Sequence, residues 1–93
     1  MEIVYLLMHK ETKRLYIGRT NNLKRRLLEH RTDKRGYDLI YAEAYLSRKD
    51  AVRREINLKK FKSAYHNLKK RISFSLLEFS EGGGRSERAP VTV

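Results

Sequence analysis

The sequence contains no cysteine. That removes a disulfide framework, a thiolate zinc site and a cysteine nucleophile from consideration, and it fits a reducing, cytoplasmic setting. No stretch approaches the roughly 18 apolar residues of a spanning helix, so no membrane span is expected. Met1-Glu2 leads straight into Ile3-Val4-Tyr5-Leu6-Leu7-Met8, without the basic leader or small-residue cleavage site of a secretory signal. Internal repeats are lacking. Acidic residues are scarce: eleven Asp and Glu face twenty-two Lys and Arg, for a net charge of +11. A small soluble domain needs a net charge of only about 2–8. The surplus attracts polyanions. Because the basic residues are spread over several elements, and not opposite one broad apolar helix face, nucleic acid is favoured over a membrane surface.

What is present suits one small α+β domain. Residues 3–8 are apolar on both alternating faces, the mark of a central strand. Residues 9–13 are a polar turn of hairpin length. Residues 14–18 make a second strand, with Leu15 and Ile17 on one face, Tyr16 on the other, and Gly18 as its stop. Thr20, Asn21 and Asn22 are candidate N-caps for a helix over about residues 22–32. Residues 38–46 read as a third strand. Ser47-Arg48-Lys49-Asp50 has the spacing of a capping box and opens a second helix running to about Phe61. Ser63 caps a third helix, whose Tyr65, Leu68, Ile72, Leu76 and Phe79 recur at spacings of three and four. The order ββαβαα predicts a three-stranded antiparallel sheet flanked by helices, spanning residues 1–79. Residues 80–93, with their glycine run and charge, are expected to form a disordered tail.

Several residues sit where packing alone would not put them. On the first helix Leu23 and Leu27 define a buried stripe. Arg26 and His30, four apart, flank it on one side and can converge over the sheet. An arginine fork there suits a phosphate. The same pair also fits an ordinary basic helix. On the second helix Ala51, Val52, Ile56 and Leu58 outline an apolar arc, and Glu55 falls inside it. An inward carboxylate needs a partner. Lys59, one turn on, is one candidate. A divalent cation is the other, since Mg²⁺ is commonly held by one carboxylate and several waters. Tyr5 and Tyr16, on neighbouring strands, are either core aromatics or two phenols side by side. His9 and His66 lack partners at metal-ligand spacing and read as surface residues.

The string Tyr16-Ile17-Gly18-Arg19-Thr20-Asn21-Asn22-Leu23-Lys24-Arg25-Arg26-Leu27-Leu28-Glu29-His30 resembles the YIG segment and following helix of GIY-YIG nucleases. Upstream, Ile3-Val4-Tyr5 stands in the GIY place, with Ile3 and Val4 where that motif has glycine and isoleucine. Downstream, residues 50–59 resemble the helix that carries the family's metal-binding glutamate, here Glu55. The resemblance covers about residues 1–75. It is nearest to short stand-alone bacterial members, which are similar to the nuclease domain of the excision-repair endonuclease. Between first helix and third strand, where some members place a further histidine, this chain offers only Tyr37.

The resemblance implies phosphodiester hydrolysis in DNA with Mg²⁺ or Mn²⁺ at Glu55. It implies that Arg26 clamps a phosphate oxygen, that Tyr5, helped by His30, takes a proton from the attacking water, and that Tyr16 orients the water or phosphate. Gly18, Arg19, Thr20, Lys24, Arg25 and Lys59 are then expected along the nucleic acid, with Asn67 as a further candidate. The expected role is structure-selective or weakly sequence-specific cutting in repair, recombination or mobile-element processing, with no small-molecule ligand. The competing reading is a non-catalytic DNA- or RNA-binding module on the same fold, to which the charge is equally suited.

Overall fold

The computed structural model describes residues 1–82. In chain order it comprises β1 (Glu2–His9), β2 (Leu15–Thr20), α1 (Leu23–Asp33), β3 (Tyr37–Tyr45), α2 (Arg48–Lys60), α3 (Lys62–Arg71) and α4 (Ser73–Gly82). The strands form one antiparallel sheet in the order β2-β1-β3. The apolar strand expected at the centre is at the centre. Val4, Tyr5, Leu6 and Leu7 are essentially shut off from solvent because β1 has neighbours on both edges and helices on both faces.

Alternation along β1 sorts the core into two layers. Val4 and Leu6 face α2, α3 and α4, where Ala51, Leu58, Leu68 and Ile72 complete the larger cluster. Tyr5 and Leu7 face α1 and pack with Leu23, Leu27, Tyr16 and Leu39. A bulge in β3 keeps both layers filled. Leu6 pairs with Tyr41 but Leu7 with Leu39, so Ile40 is the extra residue and joins the larger cluster.

Local structure departs from the sequence expectation at several points, each with a physical cause. Gly18 does not end β2; the strand runs on to Thr20, with Gly18 opposite Tyr5 in the register. A Cβ on Gly18 would lie 2.5 Å from both Cζ and the hydroxyl oxygen of Tyr5, so the glycine makes room for that ring. Asn22 is the residue that caps α1, accepting the backbone N–H of Arg25 at 3.0 Å. Ser47 occupies the N-cap position of α2 without a side-chain cap bond, so no capping box forms. Phe61, not Ser63, precedes α3.

The expected third helix is two helices that meet at Ile72, where φ −108° and ψ 27° break the helical geometry. No proline or glycine marks that bend. It leaves Ile72 buried at the elbow and carries α4 over β3. Ile56, expected inside the α2 arc, is 50% exposed. His9 is not a plain surface residue. Its Nδ1 accepts the N–H groups of Glu11 and Thr12 and so organises the β1–β2 turn. α4 continues through Gly82, and most of the expected tail lies outside the described residues. No helix among the described residues is long and apolar enough to cross a membrane.

Candidate active site

The face of the sheet under α1 gathers the two tyrosines with His30. Register places Tyr5 opposite Gly18 and Leu7 opposite Tyr16, so both phenols lie on one face. The Tyr5 and Tyr16 rings are 6.3 Å apart between centroids. The Leu23 and Leu27 stripe docks α1 here and turns His30 inward until it is only 4% exposed. Its ring stands edge-on to Tyr16 at 5.3 Å. The Tyr5 hydroxyl and His30 Nε2 are 2.7 Å apart, a short buried hydrogen bond. On the other side of the imidazole, Nδ1 is 3.0 Å from the Asp33 carboxylate.

Burial pushes the Tyr5 phenol up to about 12, and the neighbouring Tyr16 adds to the shift, while the Arg26 guanidinium beside it pulls the other way. Tyr5 therefore stays a neutral hydroxyl at ordinary pH. Arg26 lies beside both phenol hydroxyls and forms an ion pair with Glu29 at 2.7 Å. That pair holds the Glu29 carboxyl below the usual carboxylate range. Arg25 reaches Glu29 more loosely, at 3.5 Å.

The opposite face carries charge pairs. Arg19, opposite Val4 and hence on the α2 side, donates to Glu2 at 3.0 Å and to Glu55 at 3.3 Å. Lys59 holds the second oxygen of Glu55 at 3.1 Å, one helical turn away. Of the two partners weighed for Glu55, the structure shows Lys59, and it adds Arg19, a partner that the sequence did not suggest. Nearby, Glu43 accepts hydrogen bonds from Tyr41, Tyr45 and Arg54. Burial raises the Glu43 carboxyl, but those bonds outweigh it and the net shift is downward. Arg54 directly precedes Glu55, so this network fixes the rotation of α2 against β3.

The two faces meet at the end of the sheet where β1 begins and β2 ends. A polar cleft there is lined by Arg19, Arg25, Arg26 and Arg48 with Glu2 and Glu29. Four guanidiniums against two carboxylates make it attractive to a phosphate. Thr20 is buried beneath the cleft, where its hydroxyl oxygen accepts the Asn22 N–H and shapes the start of α1. Lys24 and Arg25 are exposed on α1, and Lys59 on α2. Asn67 is exposed on α3 and, among the described residues, shares no hydrogen bond with either the Tyr5 or the Glu55 group.

A divalent cation is compatible with this donor set in one form. Among the described residues no three His, Cys, Asp or Glu converge as a ready-made cage. Glu55, with Glu2 across Arg19, offers hard oxygens at the border of the cleft, which suits a cation that keeps most of its waters and leans on one or two carboxylates. Such an ion would compete with Arg19 and Lys59 for the same oxygens.

Sequence reasoning missed Glu2, Asp33 and Arg48. The strand alternation Glu2, Val4, Leu6 could have placed Glu2 on the α2 face, and the spacing of three from His30 could have found Asp33. Only tertiary packing brings Arg48 to the cleft.

Residues 1–71 of the 93-residue chain match the GIY-YIG catalytic domain family. No curated protein and no solved structure matches the chain.

Proposed function

The chain belongs to the GIY-YIG family of nucleases, and from that premise we propose that it is a metal-dependent endonuclease hydrolysing phosphodiester bonds in DNA. The observation that carries the reading is the buried Tyr5–His30 hydrogen bond lying beside Arg26 at the border of an arginine-lined cleft. It combines a proton path and an anion site within one helix and two strands.

The scissile phosphate enters the cleft and takes Arg26 from Glu29, since both are anions competing for one guanidinium. Arg26 then opposes the negative charge that builds on a non-bridging oxygen. In the free protein Tyr5 has no exposed surface. Turning Arg26 toward substrate is what admits a water to its hydroxyl. Tyr5 takes the proton of that water while passing its own to His30, and Tyr16 orients the pair. Glu55, with Glu2 beside it, would hold Mg²⁺ or Mn²⁺, and such an ion would supply charge neutralisation for the hydrolysis. Arg19, Lys24, Arg25, Arg48 and Lys59 follow the backbone on either side, next to the close backbone passage at Gly18.

These contacts are to phosphate, so cutting follows DNA structure more than sequence, as in repair, recombination or mobile-element processing in the cytoplasm. The working unit is residues 1–79. One feature favours a second reading, a non-catalytic nucleic-acid-binding module: both Glu55 oxygens already have cationic partners and can serve the fold alone.

Supercoiled plasmid and a labelled branched duplex, each with Mg²⁺ or EDTA, separate the two. The nuclease reading expects Mg²⁺-dependent cutting that falls by about 100-fold or more in Arg26→Ala, the usual scale for removing a donor to developing charge. Glu55→Gln is expected to lose the Mg²⁺-dependent cutting while DNA binding persists. Binding by the wild-type protein with no cutting in Mg²⁺ or Mn²⁺ would establish the binding module instead.

A further inference from the structure

We infer that Asp33 is a positioning residue that sets the direction of proton transfer between Tyr5 and His30. The inference rests on the nuclease reading for its consequence in catalysis, but not for its structural content.

An ionised carboxylate can only accept a hydrogen bond. Asp33 Oδ1 lies 3.0 Å from His30 Nδ1, so the proton of a neutral His30 belongs on Nδ1. Nε2 is then bare, and at 2.7 Å it can only accept from the Tyr5 hydroxyl. The chain of hydrogen bonds therefore runs Tyr5 O–H to Nε2, then Nδ1–H to Asp33. With the opposite tautomer Nε2–H would donate to Tyr5, and the phenol would have nowhere to send its proton. The second partner of an imidazole decides which nitrogen works.

This relay resolves the difficulty of a phenol as base. With its ionisation pushed up to about 12, Tyr5 is not a phenolate at neutral pH. It does not need to be. In the transfer the water O–H bond breaks and its proton joins the Tyr5 oxygen. The Tyr5 hydroxyl proton moves to His30 Nε2. The water oxygen bonds to phosphorus, the bond to the leaving sugar oxygen breaks, and that oxygen takes a proton from solvent. His30 afterwards returns its proton through Tyr5 to solvent. Asp33 stabilises the imidazolium that exists in between.

The surroundings leave Asp33 as the group suited to this task. Tyr5 and Tyr16 face His30 from β1 and β2, and both carry hydroxyls. Arg26 and Glu29 on α1 are engaged with each other. β3 contributes Leu39 and Tyr37 to this layer, and the Tyr37 ring meets His9. Lys34 lies over the outer face of Tyr16. Asp33 is also the final residue of α1, where the helix dipole disfavours an anion. A carboxylate at that end is placed against the local electrostatics, and its bond to His30 accounts for it.

The test is the tautomer of His30 in ¹⁵N-labelled protein at about pH 8.5, where an ordinary imidazole is neutral. The His30 signals are assigned against His30→Gln. The expected result is Nδ1–H in the wild type and its loss in Asp33→Ala, which leaves Nδ1 without its acceptor, with DNA binding retained. Cleavage by Asp33→Ala should fall about 10–100-fold, the range for a partner that orients a functional imidazole. Asp33→Glu should keep the Nδ1–H form. An Nε2–H tautomer in the wild type, or an unchanged tautomer in Asp33→Ala, overturns the inference. Should the wild type cut no DNA, the nuclease reading falls, while the tautomer still supports or overturns the role of Asp33.

Discussion

The two faces of the sheet handle polarity in opposite ways. Under α1 the buried polar groups are joined in a line, from the Tyr5 hydroxyl to the His30 imidazole, with charge met at Asp33 on the rim and at Arg26 beside the phenols. Under α2 the half-buried groups are ions, Glu43 with Arg54 and Arg19 between Glu2 and Glu55. A phenol hydroxyl can be sunk completely because it has no full charge to dehydrate. Carboxylates and guanidiniums must keep contact with water or with one another. In the proposed reaction one face would move a proton and the other would hold a cation, and the arginine-lined cleft at the end of the sheet is where both would act on one phosphate.

Gly18→Ala should perturb the α1 face alone. Its new Cβ would fall 2.5 Å from the Tyr5 hydroxyl and 3.0 Å from a Tyr16 ring carbon, while the ion pairs of the other face stay as they are. Cleavage should drop about 100-fold, as expected when a reacting group is displaced by roughly 1 Å. Stability should fall by about 1–3 kcal/mol from overpacking. Urea denaturation and a cleavage assay on the same preparation decide it; full activity in a destabilised protein would show that Tyr5 placement is unimportant.

Leu68→Ala makes the converse cut. Leu68 is fully buried in the α2–α4 layer and distant in sequence from every cleft residue. The change should cost about 2–5 kcal/mol in unfolding experiments. Cleavage per folded molecule should remain unchanged at low temperature. A parallel loss of activity would mean that the two layers are not separable.

High pH gives a gentler contrast. Tyr5 and Tyr45 are both pushed up to about 12, chiefly by burial, one on each face. The unfolded chain ionises these phenols near 10 while the folded one does not. The stabilisation they contribute is therefore complete below about pH 10 and is lost as pH rises toward 12. Thermal melts of wild type, Tyr5→Phe and Tyr45→Phe across that range should show each variant losing part of the alkaline slope. An unaltered slope in Tyr5→Phe would contradict its burial as a neutral phenol.

Much of this arrangement is legible in the sequence, for identifiable reasons. Strand alternation puts Tyr5 and Tyr16 on neighbouring strands, and helical spacing puts Arg26 and His30 on one side of α1. Glu55 stands out because it interrupts an apolar arc, although Ile56, part of that arc, is half exposed in the fold. What is hidden depends on neighbours that lie across the fold. Gly18 reads as a strand stop because nothing local reveals the Tyr5 ring opposite it. The bend at Ile72 carries no proline or glycine and arises where α4 turns over the sheet. Asp33 lies just past the helix expected over residues 22–32; its spacing of three from His30 is visible in the sequence, but only the inward turn of His30 gives that spacing a role.

Whether the two faces serve a single reaction is decided by single-turnover cleavage of a branched duplex by Tyr5→Phe and Glu55→Gln, with DNA affinity and Mg²⁺ dependence measured on both. Each variant should bind DNA as the wild type does and cut at least about 100-fold more slowly, the lower end of what a positioned proton acceptor contributes. Raising Mg²⁺ should rescue neither Tyr5→Phe nor its companion Arg26→Ala. Undiminished Mg²⁺-dependent cutting by Tyr5→Phe would contradict the account, because the proton path on the α1 face would then have no part in the chemistry.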